Sequence, residues 1–193
     1  MANQLSNTDW WISTGTWKVT TDTINGEKVK VFECIGSGII YIPIDNFMTS
    51  SEAAYGTFNW WFYKGSTSTV PYIYFISDAI AAASLNGYRL NFTATESIDF
   101  RAINNGSTSI LMQTADDVVP IQTWFNSKIT RRYDGQFSIY QDEVLVTAAA
   151  GTNPTTNTDK VVSNYILLDL DAGDKIAIAD IKGDHSIVKK LGI

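Results

Sequence analysis

The nearest approach in this chain to a catalytic carboxylate pair is Glu96-Ser97-Ile98-Asp99. Glycoside hydrolysis needs two carboxyl groups flanking one bond, an acid and a nucleophile or base. A spacing of three on an extended chain sends the two side chains to opposite faces, so Glu96 and Asp99 make no such pair. His185 is the one histidine and lies in the polar stretch Gly183–Ser186, where it reads as a solvated residue rather than a base. One cysteine, Cys34, and one histidine supply too few soft ligands for zinc. No glycine loop of the phosphate-binding or dinucleotide-binding kind is present. Asp169, Asp171 and Asp174 cluster around Gly173, and Asp116-Asp117 precede Trp124. Hard oxygen ligands in loops are what calcium takes, but the spacing does not match the looped calcium motif. No metal ligands and no cofactor are therefore assigned, with calcium the one ion the loop chemistry admits. The residues point away from an enzyme.

Binding chemistry is better represented. In Thr57–Lys64 (TFNWWFYK), Phe58, Trp60 and Phe62 fall on one face of a strand and Asn59, Trp61 and Tyr63 on the other. Two readings of Trp61 and Tyr63 compete: cover by a loop or chain terminus, or an exposed aromatic platform for sugar or protein. A second group of candidates sits at the ends of the chain. Trp10, Trp11 and Ile12 interrupt a polar start, and Ile187, Val188, Leu191 and Ile193 flank Lys189-Lys190. Either set can dock on its own fold as an edge strand or anchor an arm on a neighbouring subunit.

The elements that position these residues are strands. Gln122–Thr147 alternates with period two: Phe125, Ser127 and Ile129 against Asn126, Lys128 and Thr130, then Phe137 and Ile139 against Gln136, Ser138 and Tyr140. Asp134-Gly135 and Gln141-Asp142-Glu143 break the pattern, predicting a three-stranded meander. Upstream, Thr16–Thr20 and Lys28–Cys34 flank Asn25-Gly26, a strong hairpin signal. Ser77–Leu85 (SDAIAAASL) has the composition of a short helix, with Ser77 as its cap. Everything else reads as short strands and small polar turns, predicting an all-β sandwich of two antiparallel sheets. The expected organisation is an N-terminal arm or edge strand over 1–15, a sandwich over 16–182 and a tail over 183–193.

Composition sets the outer bounds. A chain of 193 residues suits one large sandwich, and 45% hydrophobic residues suffice for its core. The net charge of −6, without a Lys/Arg cluster, excludes a nucleic-acid partner. No apolar run is long enough to span a membrane. The start, MANQLSNTDWW, has neither a basic nor an apolar region, so synthesis without a signal peptide in a cytoplasm is expected.

The meander also carries a resemblance. Trp124, Ile129-Thr130-Arg131, Asp134-Gly135, Phe137, Ile139-Tyr140, Asp142 and Leu145-Val146 resemble the central hairpins of laminin-G-like domains, which are concanavalin A-like jelly-roll sandwiches. One departure is Glu143, where such domains usually have Gly. Glycanases of this fold carry Glu-x-Asp-x-x-Glu along one strand, a pattern absent here. Across the chain, Trp17-Lys18-Val19, Asn25-Gly26, Tyr55-Gly56, Trp124 and Leu168–Asp174 look like laminin-G-like proteins of tailed bacteriophages. That resemblance implies a non-enzymatic virion component, a capsid decoration, head-fibre or tail-associated subunit. Its partners would be other virion proteins or copies of itself. The alternative the fold implies is a lectin-like carbohydrate-binding module that recognises host-surface glycans.

Overall fold

The structure, a computed structural model, describes residues 3–4, 9–44, 54–160 and 162–182. The described residues form two antiparallel sheets. The first runs in the order β1 (Asn3–Gln4), β2 (Trp11–Ile12), β5 (Gly38–Pro43), β16 (Tyr165–Leu170), β7 (Tyr72–Ser77), β8 (Gly87–Phe92), β9 (Ile98–Asn104), β10 (Ser107–Gln113) and β14 (Ala150–Gly151). The second runs β13 (Val144–Leu145), β12 (Gln136–Gln141), β11 (Trp124–Arg131), β6 (Gly56–Tyr63), β17 (Lys175–Lys182), β4 (Glu27–Gly36) and β3 (Thr16–Ile24). The short β15 (Thr155–Thr156) adds to β12. This is the two-sheet sandwich expected from the alternation, in the jelly-roll form that the resemblance implies.

Local turn chemistry explains the hairpins. Asn25-Gly26 joins β3 to β4, and Asn105-Gly106 joins β9 to β10, each with two positive φ values that match strand twist. Asp142-Glu143 joins β12 to β13 with the same handedness, at φ 49° and 66°, although neither residue is Gly. The inner faces meet in one aromatic core: Phe58, Trp60 and Phe62 from β6, Phe75 from β7, Tyr88 from β8, Phe100 from β9 and Phe137 from β12 are all buried. Phe75 lies within 6.5 Å of five of the other rings, so the two sheets are stitched together by ring packing.

The Ser77–Leu85 helix does not form. Ser77 ends β7, its hydroxyl donates to Ala79 O at 2.6 Å, and only Ala82–Ser84 makes a 3-10 turn. Asp78 accepts from the Asn86 backbone N–H (2.7 Å) and from its Nδ2 (2.9 Å), closing the segment as a loop that returns β8 beside β7. Nine residues cannot meet the cost of helix nucleation against that alternative.

Among the described residues, two cations are buried in the interior. Arg131, 2% exposed, donates to the carbonyls of Ala54, Lys160 and Asn157 and lies over the rings of Tyr55, Tyr88 and Phe137. Lys64 is fully buried, donates to Ser66 O and Thr67 O, and pairs with Glu96 at 3.6 Å. Burial lowers the pKa of both, offset in part by the tyrosines around Arg131 and by Glu96 beside Lys64.

Candidate functional site

β6 places Trp61 and Tyr63 on the outer face of the second sheet, as its alternation predicts. Pairing with β11 sets Trp124 opposite Tyr63 and Asn126 opposite Trp61. On the other side β17 sets Lys175 opposite Tyr63 and Ala177 opposite Trp61. Directly opposed residues of a ladder share a face, so three aromatic side chains gather where the sequence shows two. Tyr63 and Trp124 ring centroids stand 5.6 Å apart, and Lys175 Nζ lies 5.0 Å from the Tyr63 centroid. Lys175 also pairs with Asp22 at 3.2 Å. The Thr23 backbone N–H, with help from Lys175 and the Trp124 indole, holds the Asp22 carboxyl below its usual range.

Trp61 and Tyr63 are both part-buried, neither closed off in a core nor standing free. Trp61 packs sideways on buried Ile24, Val31 and Ala177, with half-buried Val29 and Trp124 beside it. Trp61, Tyr63 and Trp124 nevertheless all keep part of their surface open. Polar groups lie beneath and beside them. Asn126 Nδ2 donates to Asn59 Oδ1 at 2.7 Å and to Trp60 O at 3.2 Å, while Asn126 Oδ1 is buried without a hydrogen-bond partner among the described residues. Lys128, which pairs with Glu143, lies 4.9 Å from the Tyr140 ring. The arrangement offers stacking surfaces with donors and acceptors at their margin.

The other candidates fall elsewhere. Trp10 is 1% exposed and packs on Phe32 at 5.4 Å, and Ile12 packs on the same core. A single copy of the chain therefore accounts for the burial of Trp10. Trp11 is half-buried and pairs with Tyr41 on the outer face of the first sheet. Ile187, Val188, Leu191 and Ile193, with His185, lie outside the described residues. Glu96 serves the Lys64 pair, and Asp99 binds Arg101 at 2.6 Å, so the two carboxylates are held apart by different partners.

The aspartate cluster ties loops together. Asp174 accepts from Gly65 N–H (2.8 Å), Asp171 N–H (3.1 Å) and the Thr69 hydroxyl (3.3 Å). Asp171 accepts from the Ser37 hydroxyl (2.9 Å) and Val70 N–H (3.0 Å). Among the described residues no group of three or more His, Cys, Asp or Glu side chains converges as a metal site would. Cys34 is fully buried, and burial, with the Asp174 charge adding, pushes its thiol up to about 12, which keeps it protonated and inert. A cavity of about 350 Å³ beside β13 is lined mainly by aliphatic groups such as Val118, Val144 and Val146, and lies away from the aromatic face.

No protein-family model matches the chain, and no curated protein matches it. Solved structures do resemble it. A carbohydrate-binding module, CBM66, from Bacillus subtilis superposes with a TM-score of 0.62 at 20% identity, over 91% of this chain and 96% of that one. The receptor-binding domain of a botulinum neurotoxin C/D mosaic serotype gives 0.56 at 15% identity, over 88% of this chain and 41% of that longer one. The metal-free carbohydrate recognition domain of Emp46p gives 0.54 at 12% identity, over 88% and 85%. None of the three is described as a virion component, so that expectation rests on the sequence resemblance alone. What the likenesses establish is the fold, a jelly-roll β-sandwich of two antiparallel sheets.

Proposed function

We infer that this protein is a non-catalytic carbohydrate-binding module that receives sugar on the outer face of its second sheet. One observation carries the reading: Trp61, Tyr63 and Trp124 stand together, each part-buried with some ring surface open, with Asn59, Lys128, Lys175 and Asp22 around them. Pyranose and furanose rings present an apolar C–H face that stacks on such rings, and hydroxyl edges that need donors and acceptors beside them. The carbohydrate-binding module and the carbohydrate recognition domain that share the fold support the reading. Binding to an array of immobilised glycans tests the inference, comparing the wild type with Tyr63→Ala and Trp124→Ala. Retention by at least one glycan is expected. Losing one ring interaction worth about 0.5–1.5 kcal/mol beyond its buried area should weaken binding up to about tenfold, with the melting temperature little changed. A wild type that no glycan retains, or variants that bind as the wild type does, would overturn it.

A further inference from the structure

The far side of the molecule carries another aromatic surface, the outer face of the first sheet. Cross-strand pairing lines up Trp11, Tyr41, Leu167, Tyr74 and Arg89 in one row. The next row holds Asp169, Tyr72, Asn91 and Asp99. Leu167 and Tyr74 are buried at the base, with Tyr41, Tyr72 and Tyr165 half-buried around them. The Arg89 guanidinium lies 4.2 Å from the Tyr72 centroid and 5.3 Å from that of Tyr74, and donates to the Tyr74 hydroxyl at 2.7 Å. The arginine is thereby fixed by two rings rather than by an acid.

The polar groups of this face divide into two kinds. Asp99 is satisfied, accepting from Arg101 at 2.6 Å and from Gln113 at 2.8 Å. The Asp169 carboxylate makes no hydrogen bond or ion pair among the described residues, although it feels the Arg89 charge. Arg89 Nε and Asn91 Oδ1 are also buried without partners there. Asp169 is part-buried among tyrosines, and its carboxylate keeps contact with solvent, where an incoming hydroxyl can reach it. What a ligand can reach is the Asp169 carboxylate on β16 and the end of the Arg89 guanidinium on β8, which flank β7 with the Tyr72 ring between them.

We propose that this face is a second saccharide site, where hydroxyls of a neutral sugar donate to Asp169 and accept from Arg89 while its apolar face packs on Tyr72 and Tyr41. Charge selects a neutral ligand, because an anion would meet Asp169 and a cation Arg89. The proposal rests on the carbohydrate-binding reading and extends it to the opposite sheet. Two sites on opposite faces let one molecule hold two glycan chains, or gain avidity on a dense glycan surface.

Titrating the isotopically labelled full chain with millimolar methyl glycosides of glucose, galactose, mannose and fructose reads both faces at once. The Arg89 Nε–H and Tyr72 ring resonances report this face, and the Trp61 and Trp124 indole N–H resonances report the other. The expected result is that at least one glycoside shifts Arg89 and Tyr72, in the wild type and equally in Trp61→Ala. Asp169→Ala should weaken that binding about tenfold, and Asp169→Asn, which keeps one acceptor, should weaken it less. Shifts at the indoles without shifts at Arg89 overturn this site and leave the first one standing. Shifts at Arg89 alone uphold this site and overturn the first, and no shift on either face overturns both. Full-strength binding by Asp169→Ala would also sink the assignment.

Discussion

Burial lifts the carboxyls of Asp169 and Asp174 to about 6 each, above the ordinary 3.8. The nearby Asp171 charge adds to both, while Arg89 opposes the rise at Asp169 and N–H donors oppose it at Asp174. A carboxyl raised on folding holds its proton where the unfolded chain has already lost it. Its stabilising contribution is therefore complete below the unfolded value and is lost as pH rises through the folded one. Asp169→Asn removes this dependence at one site without changing side-chain size. Its melting temperature should exceed that of the wild type near pH 7, and the gap should close as the pH is lowered to about 4. A gap that stays constant over that range would show that Asp169 is solvated in the folded state. Arg131 poses the converse problem, a buried cation with carbonyl partners and no acid. Arg131→Ala strands the buried Ala54 O and takes the guanidinium from the part-buried Lys160 O and Asn157 O, the last of which keeps the Tyr88 hydroxyl at 3.4 Å. A buried carbonyl left unpaired costs about 1–3 kcal/mol, and the packing of the guanidinium between three rings is lost with it, so a loss of at least about 2 kcal/mol is expected by chemical denaturation. A loss below about 1 kcal/mol would mean that water replaces the guanidinium.

At the scale of elements, the meander β11–β12–β13 tests the sequence register most directly. Phe137 and Ile139 are both fully buried and Ser138 is half-exposed on the other face. Phe137→Ala and Ile139→Ala should each cost about 2–5 kcal/mol, and Ser138→Ala under about 0.5 kcal/mol. Equal costs at 138 and 139 would place the strand one residue out of register. This meander was legible because alternation and turn residues are local signals. The turn at Asp142-Glu143 shows the limit of that logic, since a Gly-type geometry forms on two acidic residues, with Lys128 pairing Glu143. The Ala-rich segment after β7 misleads for a related reason: helix propensity is a weak prior when a side chain such as Asp78 can close a loop instead. Trp61 and Tyr63 were legible as a face of β6. Trp124 as their companion was not, because strands far apart in sequence must pair before it joins them. The tyrosine face is less legible still, since Tyr41, Tyr72, Tyr74 and Tyr165 come from three strands and none is conspicuous alone.

For the whole molecule, the N-terminal segment decides whether the sandwich is complete. Trp10 enters the shared core, and β2 bonds to β5 at the edge of the first sheet. The chain crosses β5 closely: a Cβ on Gly38 would stand 2.4 Å from Thr14 O, and Gly15 at φ 80° faces Gly38 across the same gap. Only glycines permit that approach. The edge of the sheet is thereby covered from within the same chain, which is one way an open edge is kept from pairing with a stranger. Trp10→Ala should cost about 3–5 kcal/mol, the range for a large aromatic removed from a core. For a domain of this size that is a fall of about 6–20 °C in a single cooperative melt. Trp11→Ala, removing a half-exposed ring on the outer face, should cost far less. Deleting residues 1–12 should lower the melting temperature at least as much as Trp10→Ala, because β2 is lost with it. If instead the deletion leaves the melt unchanged and abolishes an oligomer seen by light scattering, the segment is an arm for a neighbour, and its place in this core must be given up.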